Sequence, residues 1–191
     1  MLLAFAAPLL AQEPPLQQVL DSYYGPGVVD VARHRIPDTL FKVVNDQSLT
    51  SVVIARFSLY NGSAFGWYNP NWTSEYRFIH PGYEVGISHT WSVPGKTYIG
   101  FALSLDQIRP TYYSEPNLNR NHEARCFALR HPLRMNTVII CWEDWQDWDF
   151  QDCVVEITGI ETPPPDPGKN IKLRSLQPTP DPPGRAERIK R

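Results

Sequence analysis

The chain has 191 residues, 42% apolar and 12% aromatic, with 20 acids against 18 Lys/Arg; that suits one domain with a core and excludes a wholly disordered polymer. The net charge of −2 hides an asymmetry, because residues 1–161 carry 17 acids and 11 Lys/Arg while residues 162–191 carry 3 and 7. An acidic body excludes nucleic acid as the main partner, and three Cys without a C-x-x-C exclude a zinc ribbon, a thioredoxin-type centre and a disulfide scaffold.

Residues 1–11, apolar and ending at Ala11 before Gln12-Glu-Pro-Pro15, read as the apolar part and cleavage end of a secretory signal, without a basic leader. They are too short to span a bilayer as a helix, and no later stretch is long enough. The expected location is therefore secreted, extracellular or periplasmic, with the domain running over 12–161. Leu16, Val19, Leu20, Tyr23 and Tyr24 fall at helical spacing before Gly25, which predicts one short amphipathic helix.

From about residue 28 the pattern changes to strands. Thr39–Val44, Ser51–Tyr60, Phe65–Tyr68, Tyr76–Ile79, Glu84–Ile87, Thr97–Ser104, Ala124–Leu129, Asn136–Trp142 and Cys153–Ile160 each carry β-branched or aromatic bias between turn residues. Asn61-Gly62 predicts a hairpin joining Ser51–Tyr60 to Phe65–Tyr68, and Asp106–His122 reads as a polar loop. About nine short strands and one peripheral helix predict an all-β fold, an antiparallel β-sandwich of jelly-roll-like type. Residues 162–191 hold eight Pro and few large apolar groups, which predicts a disordered, basic, Pro-rich tail.

The chemistry concentrates between the last two strands, in Cys141-Trp-Glu-Asp-Trp-Gln-Asp-Trp-Asp-Phe-Gln-Asp-Cys153. Glu143, Asp144, Asp147, Asp149 and Asp152 lie in a loop of ten residues, with no Lys or Arg between Arg134 and Lys169. Two carboxylates about 4 Å apart repel by roughly 4 kcal/mol at an effective dielectric near 20. Such a loop either splays its acids into water or gathers them around a cation. Hard oxygen donors, with no His or paired Cys in the loop, point to Ca²⁺ before Zn²⁺. The spacing is not that of an EF-hand, since Asp152 would stand at the glycine position. Trp145, Trp148 and Phe150 interleave with the acids, either as core anchors or as a stacking surface for a ligand; Trp145 and Trp148 are the candidate ligand contacts. Zinc at His122 and Cys126 is a weaker reading, as is an acid/base pair for glycoside hydrolysis. No G-x-S-x-G or H-E-x-x-H occurs, so no catalytic residue is assigned. Free thiols, or one disulfide and one thiol, both fit the three Cys.

Phe65-Gly-Trp-Tyr68, Tyr112-Tyr-Ser-Glu-Pro-Asn-Leu-Asn119 and Trp142-Glu-Asp144 with Asp147-Trp-Asp-Phe-Gln-Asp152 occur in an order and spacing that resembles the bacterial exported Domain of Unknown Function 4114, over roughly residues 39–160. The resemblance implies a β-sandwich in secreted or adhesin-like proteins and calcium bound through Glu143, Asp144, Asp147, Asp149 and Asp152. Gln151 stands where that family usually has Asn, and Trp145-Gln146 where it usually has Gly-rich residues. The expected function is an exported Ca²⁺-binding module that binds a carbohydrate or peptide ligand or serves adhesion. The alternatives are a structural envelope protein with a solvated acidic loop and a carboxylate-dependent glycosidase.

Overall fold

A computed structural model describes residues 13–44, 48–57, 62–81, 84–105, 111–144 and 147–162. The expected signal segment and the Pro-rich tail beyond Thr162 lie outside these residues.

Helix α1 (Leu16–Tyr24) starts after Pro15 and stops at Gly25, whose φ of 97° is open to glycine and whose N–H donates to Asp21 O at 3.0 Å. A second helical turn, α2 (Val31–His34), is capped by Asp30 Oδ1, which accepts the Arg33 N–H at 2.9 Å. The strands follow as β1 (Arg35–Ile36), β2 (Phe41–Lys42), β3 (Ser48–Arg56), β4 (Ala64–Asn69), β5 (Trp72–His80), β6 (Ser88–Ser92), β7 (Tyr98–Ser104), β8 (Thr111–Tyr113), β9 (Cys126–Arg130), β10 (Thr137–Trp142) and β11 (Cys153–Thr158).

They form two antiparallel sheets, one ordered β1-β9-β10-β11-β3-β6 and the other β2-β7-β4-β5, with β8 also on β7. Between them lies the main core, built from Val53, Phe65, Trp67, Phe101, Ile140 and Trp142 among others. The opposite face of the first sheet is also covered: Leu129, Ile139, Cys141 and Val154 pack with Leu16, Val19 and Leu20 of α1. Both faces of β10 and β11 are therefore dry, which is why these strands read as continuous apolar runs instead of alternating ones. Tyr24 Oη donates to Glu156 Oε2 at 2.7 Å and Arg134 donates to Glu156 Oε1 at 2.6 Å, so the helix is tied to β11 by a charged group as well.

The all-β sandwich and the helix at Leu16–Tyr24 match the sequence reading, while several details differ. β3 does not form a hairpin with β4. It pairs with β11 and β6, and the chain crosses to the other sheet before β4 pairs with β5 and β7. Asn61 lies outside the described residues. The inward side chains Val53 and Phe65 explain the crossover, since each packs into the same core from its own sheet. The strand expected at Glu84–Ile87 lies instead at Ser88–Ser92, where Ser88, His89, Thr90, Trp91 and Ser92 pair with β3 in unbroken register. The polar Asp106–His122 segment contains β8, whose tyrosines pair with β7, and two 3₁₀ turns.

The sequence motifs meet in space. Phe65 and Trp67 enter the core while Tyr68, also fully buried, lies on the other face of β4, where its Oη donates to Glu115 Oε2 at 2.8 Å. The Tyr68 ring lies over Gly100, where a Cβ would fall 2.0 Å from Tyr68 Cζ, so only glycine fits beneath it. Ser114 Oγ accepts the Phe101 N–H at 3.0 Å and donates to Thr39 O at 2.6 Å. Asn119 Oδ1 accepts the Tyr113 N–H at 2.8 Å, closing the corner on itself. The Phe65 and Trp142 rings meet edge to face with centroids 6.4 Å apart, which joins the first motif to the strand that carries the acidic loop.

Candidate functional site

Trp142 and Cys153 face each other in the β10–β11 ladder, so residues 143–152 leave and re-enter the sheet at one point. Both ends of the loop stay in the sheet. The Glu143 N–H donates to Arg125 O at 2.9 Å on the β9 side, and the Phe57 N–H donates to Asp152 O at 2.9 Å on the β3 side. Across the base, the Asp144 N–H donates to Asp152 Oδ2 at 2.6 Å. The ends are thus fixed, and only the middle of the loop leaves the sheet.

The fixed ends place acids where water cannot fully solvate them. Glu143, Asp144 and Asp152 are buried, Asp149 is half-buried and Asp147 is exposed. One oxygen each from Glu143, Asp147, Asp149 and Asp152 lies within 4.8 Å of the others. Asp144 does not join this group through its carboxylate; it contributes its main-chain N–H instead. Burial, together with the nearby Asp144, Glu143 and Asp149 charges, pushes the Asp152 carboxyl up to about 9, against the lowering effect of the Asp144 N–H bond. Without a cation, burial and the neighbouring charges favour the protonated form of Asp152.

A sixth carboxylate comes from the other end of the chain. Gln151, fully buried, donates through Nε2 to Asp149 Oδ2 and, at 3.4 Å, to Glu13 Oε2. Burial, then the Asp149 charge, raises the Glu13 carboxyl above its ordinary range. Sequence reading missed Glu13, because nothing in Gln12-Glu-Pro-Pro15 signals that the docking of α1 brings the residues just before it beside a loop 138 residues away. The amide at Gln151 has a role its sequence position did not reveal: it bridges these two acids.

The aromatic residues hold the bend. Trp148 and Phe150 both adopt φ 58°, the left-handed region that L side chains enter at a cost of about 1–2 kcal/mol each. The bend is thus made without Gly, and ring packing offsets its cost. Phe150 packs on Phe127 with centroids 4.9 Å apart. The Arg125 guanidinium lies 5.0 Å from the Trp148 ring and 4.8 Å from the Tyr112 ring, a cation held between two π faces. Phe150 is therefore an anchor, whereas Trp148 keeps about half of its surface exposed. Trp145 lies outside the described residues.

Four acids on a fixed base suit a hard cation. Calcium takes six to eight oxygens at roughly 2.3–2.6 Å, so oxygens on one shell stand up to about 5 Å apart, and a spread of 4.8 Å falls within that limit. Zinc at His122 and Cys126 has no such support, since among the described residues neither joins a cluster of potential ligands. Cys126, Cys141 and Cys153 are free thiols. Cys126 and Cys153 flank Trp142 on neighbouring strands, Cys141 points to the opposite face, and burial raises all three above the ordinary thiol range, Cys126 and Cys141 well above it.

No protein family matches this chain, and neither does any curated protein. Among solved structures it is similar to the high-affinity mannose-binding lectin of Ralstonia solanacearum, at 13% identity and a TM-score of 0.38, covering 64% of this chain and 96% of the lectin. A likeness of that depth carries no argument about ligand. Among the described residues, no helix is long and apolar enough to cross a membrane.

Proposed function

We propose that this chain is a calcium-dependent binding module, in which Glu143, Asp147, Asp149 and Asp152 hold Ca²⁺ and the loop presents a carbohydrate or peptide ligand surface beside it. The observation that carries the reading is the gathering of four carboxylate oxygens within 4.8 Å on a loop whose two ends are fixed in the sheet. Calcium would supply positive charge and free coordination positions. The chain's own residues hold the carboxylates in place and set Trp148, half-exposed over Arg125, beside them as a stacking face. The apolar residues 1–11 support an exterior location.

A structural role for calcium, with the ligand bound elsewhere, is the second reading. It is favoured by the burial of Glu143 and Asp152, which leaves few of the cluster's oxygens at the surface. A retaining glycosidase, whose carboxyl groups stand roughly 5–5.5 Å apart, is disfavoured by the burial of Glu143 and Asp152, which keeps both from facing a sugar ring.

The test is a glycan and peptide array probed with calcium, with chelator and with Trp148→Ala. Signal lost in chelator and weakened in the variant supports ligand binding at the loop. Signal that survives both places the ligand elsewhere, and hydrolysis of polysaccharides would restore the enzyme reading.

A further inference from the structure

A second group of potential ligands lies at the open edge of the sandwich, where β5 ends one sheet and β6 ends the other. Three polar side chains converge there from three positions: His80 closes β5, His89 lies in β6, and Glu84 comes from the segment between them. One ligand atom from each lies within 4.8 Å of the others. Glu84 Oε2 is 2.7 Å from His89 Nε2 and 3.5 Å from His80 Nδ1, and the two rings meet edge to face with centroids 4.6 Å apart.

His80 is the informative member. It is fully buried, and Nδ1, the nitrogen that faces the cluster, has no hydrogen-bond partner. Its other nitrogen, Nε2, is 2.9 Å from Ser51 Oγ, which in turn accepts the Trp91 Nε1–H at 2.9 Å. If Nε2 carries the proton and donates it to Ser51, Nδ1 presents a bare lone pair toward Glu84 and His89. A metal-ligating imidazole is normally fixed in this way, by a hydrogen bond through the nitrogen that does not bind. Ser51 and His89 are also direct partners in the β3–β6 ladder, so the residue that orients one histidine is registered against the other.

We propose that His80 Nδ1, His89 Nε2 and Glu84 form a binding site for a divalent transition ion of the zinc class, separate from the acidic loop. Two imidazoles and one carboxylate are a borderline-soft set that selects zinc over calcium. Three protein ligands leave one position of a tetrahedral ion open to water or to a ligand group. Because the ligands come from the edges of both sheets, the ion also clasps the open side of the sandwich.

The test uses the full chain without a histidine tag, titrated with Zn²⁺ by calorimetry and with Co²⁺ by visible absorption. The expected result is one zinc per chain at micromolar Kd or tighter, with tetrahedral Co²⁺ bands. His89→Gln and Glu84→Gln should each weaken binding at least tenfold while circular dichroism stays unchanged. Both residues are partly exposed, so these variants should fold even where His80→Ala does not. Asp149→Asn, in the acidic loop, should leave zinc binding intact. Absence of stoichiometric zinc binding below about 100 μM overturns the proposal. So does binding that His89→Gln and Glu84→Gln leave unchanged, or that Asp149→Asn abolishes.

Discussion

The Asp144 N–H donates to Asp152 Oδ2 at 2.6 Å, across eight residues of chain. The bond fixes the base of the acidic loop and holds one buried carboxylate beside three others. It lowers the Asp152 pKa, yet burial and neighbouring charge outweigh it and leave the group near 9.

A pH prediction follows from that balance. The Asp152 carboxyl is raised in the folded state above its unfolded value near 3.9. Its contribution is fully present below that value and is lost as pH rises through about 9. Without metal, stability should therefore fall between pH 6.5 and 9, by at most about 1.4 kcal/mol per unit for one proton. His80 and His131, both lowered to about 4 by burial, act in the opposite sense, and only between about 4 and 6.5. Urea unfolding in chelator at pH 6.5, 7.5 and 8.5 should show the decline in wild type and a flat profile in Asp152→Asn. Equal slopes in both would show that Asp152 is not the group that titrates.

The Tyr68–Gly100 contact yields a packing prediction. A methyl group on Gly100 would meet the Tyr68 ring at 2.0–2.3 Å, so Gly100→Ala should destabilise by about 1–3 kcal/mol or more through overpacking. Made on a Tyr68→Ala background, the same change should cost much less. A double-mutant cycle by denaturant unfolding measures the coupling, and additive costs would mean that the ring does not set the glycine requirement.

Helix α1 should be integral to the domain. Leu20 is fully buried with Leu129, Ile139 and Val154, so Leu20→Ala should cost about 2–5 kcal/mol. Glu13 lies two prolines ahead of α1 and reaches Asp149 through Gln151, so the same variant should also weaken calcium binding slightly. A loss below 1 kcal/mol in thermal or urea unfolding would show that the helix is only loosely docked.

The loop aromatics should separate into two roles. Phe150 is half-buried on Phe127, and Phe150→Ala should lower both stability and calcium affinity, because it releases a bend held at φ 58°. Trp148 is half-exposed, so Trp148→Ala should affect ligand capture more than calcium affinity. Parallel calorimetry on the two variants checks this, and identical effects would contradict the division.

Much of the fold was legible because its signals are local. The spacing of Leu16, Val19 and Leu20 gave the helix, and the runs at 137–142 and 153–158 gave the two central strands. What failed was non-local. Asn61-Gly62 is a strong turn signal, but nothing near it tells whether the chain returns to its own sheet or crosses to the other. The shift from Glu84–Ile87 to Ser88–Ser92 has the same origin: Val85 and Ile87 have the composition of a strand, yet the ladder with β3 takes Ser, His and Thr. Charge density made the acidic loop visible, since five acids in ten residues need no tertiary information. Glu13, Gln151 and the His80–Glu84–His89 group owe their placement to sheet edges and helix docking, which no spacing rule encodes.

Calcium titration of the metal-free chain, by calorimetry and by thermal melting, tests calcium binding at the acidic loop. A cation that binds only the folded state adds about 2.7 kcal/mol at a hundredfold excess over Kd. One calcium should bind per chain, with Kd in or below the millimolar range of extracellular modules. The melting temperature should rise by several degrees with calcium and return with chelator, and the rise should be smaller in Asp149→Asn and Asp152→Asn. No binding below about 10 mM calcium, or an equal rise in both variants, would contradict calcium binding there and leave the loop an acidic connector.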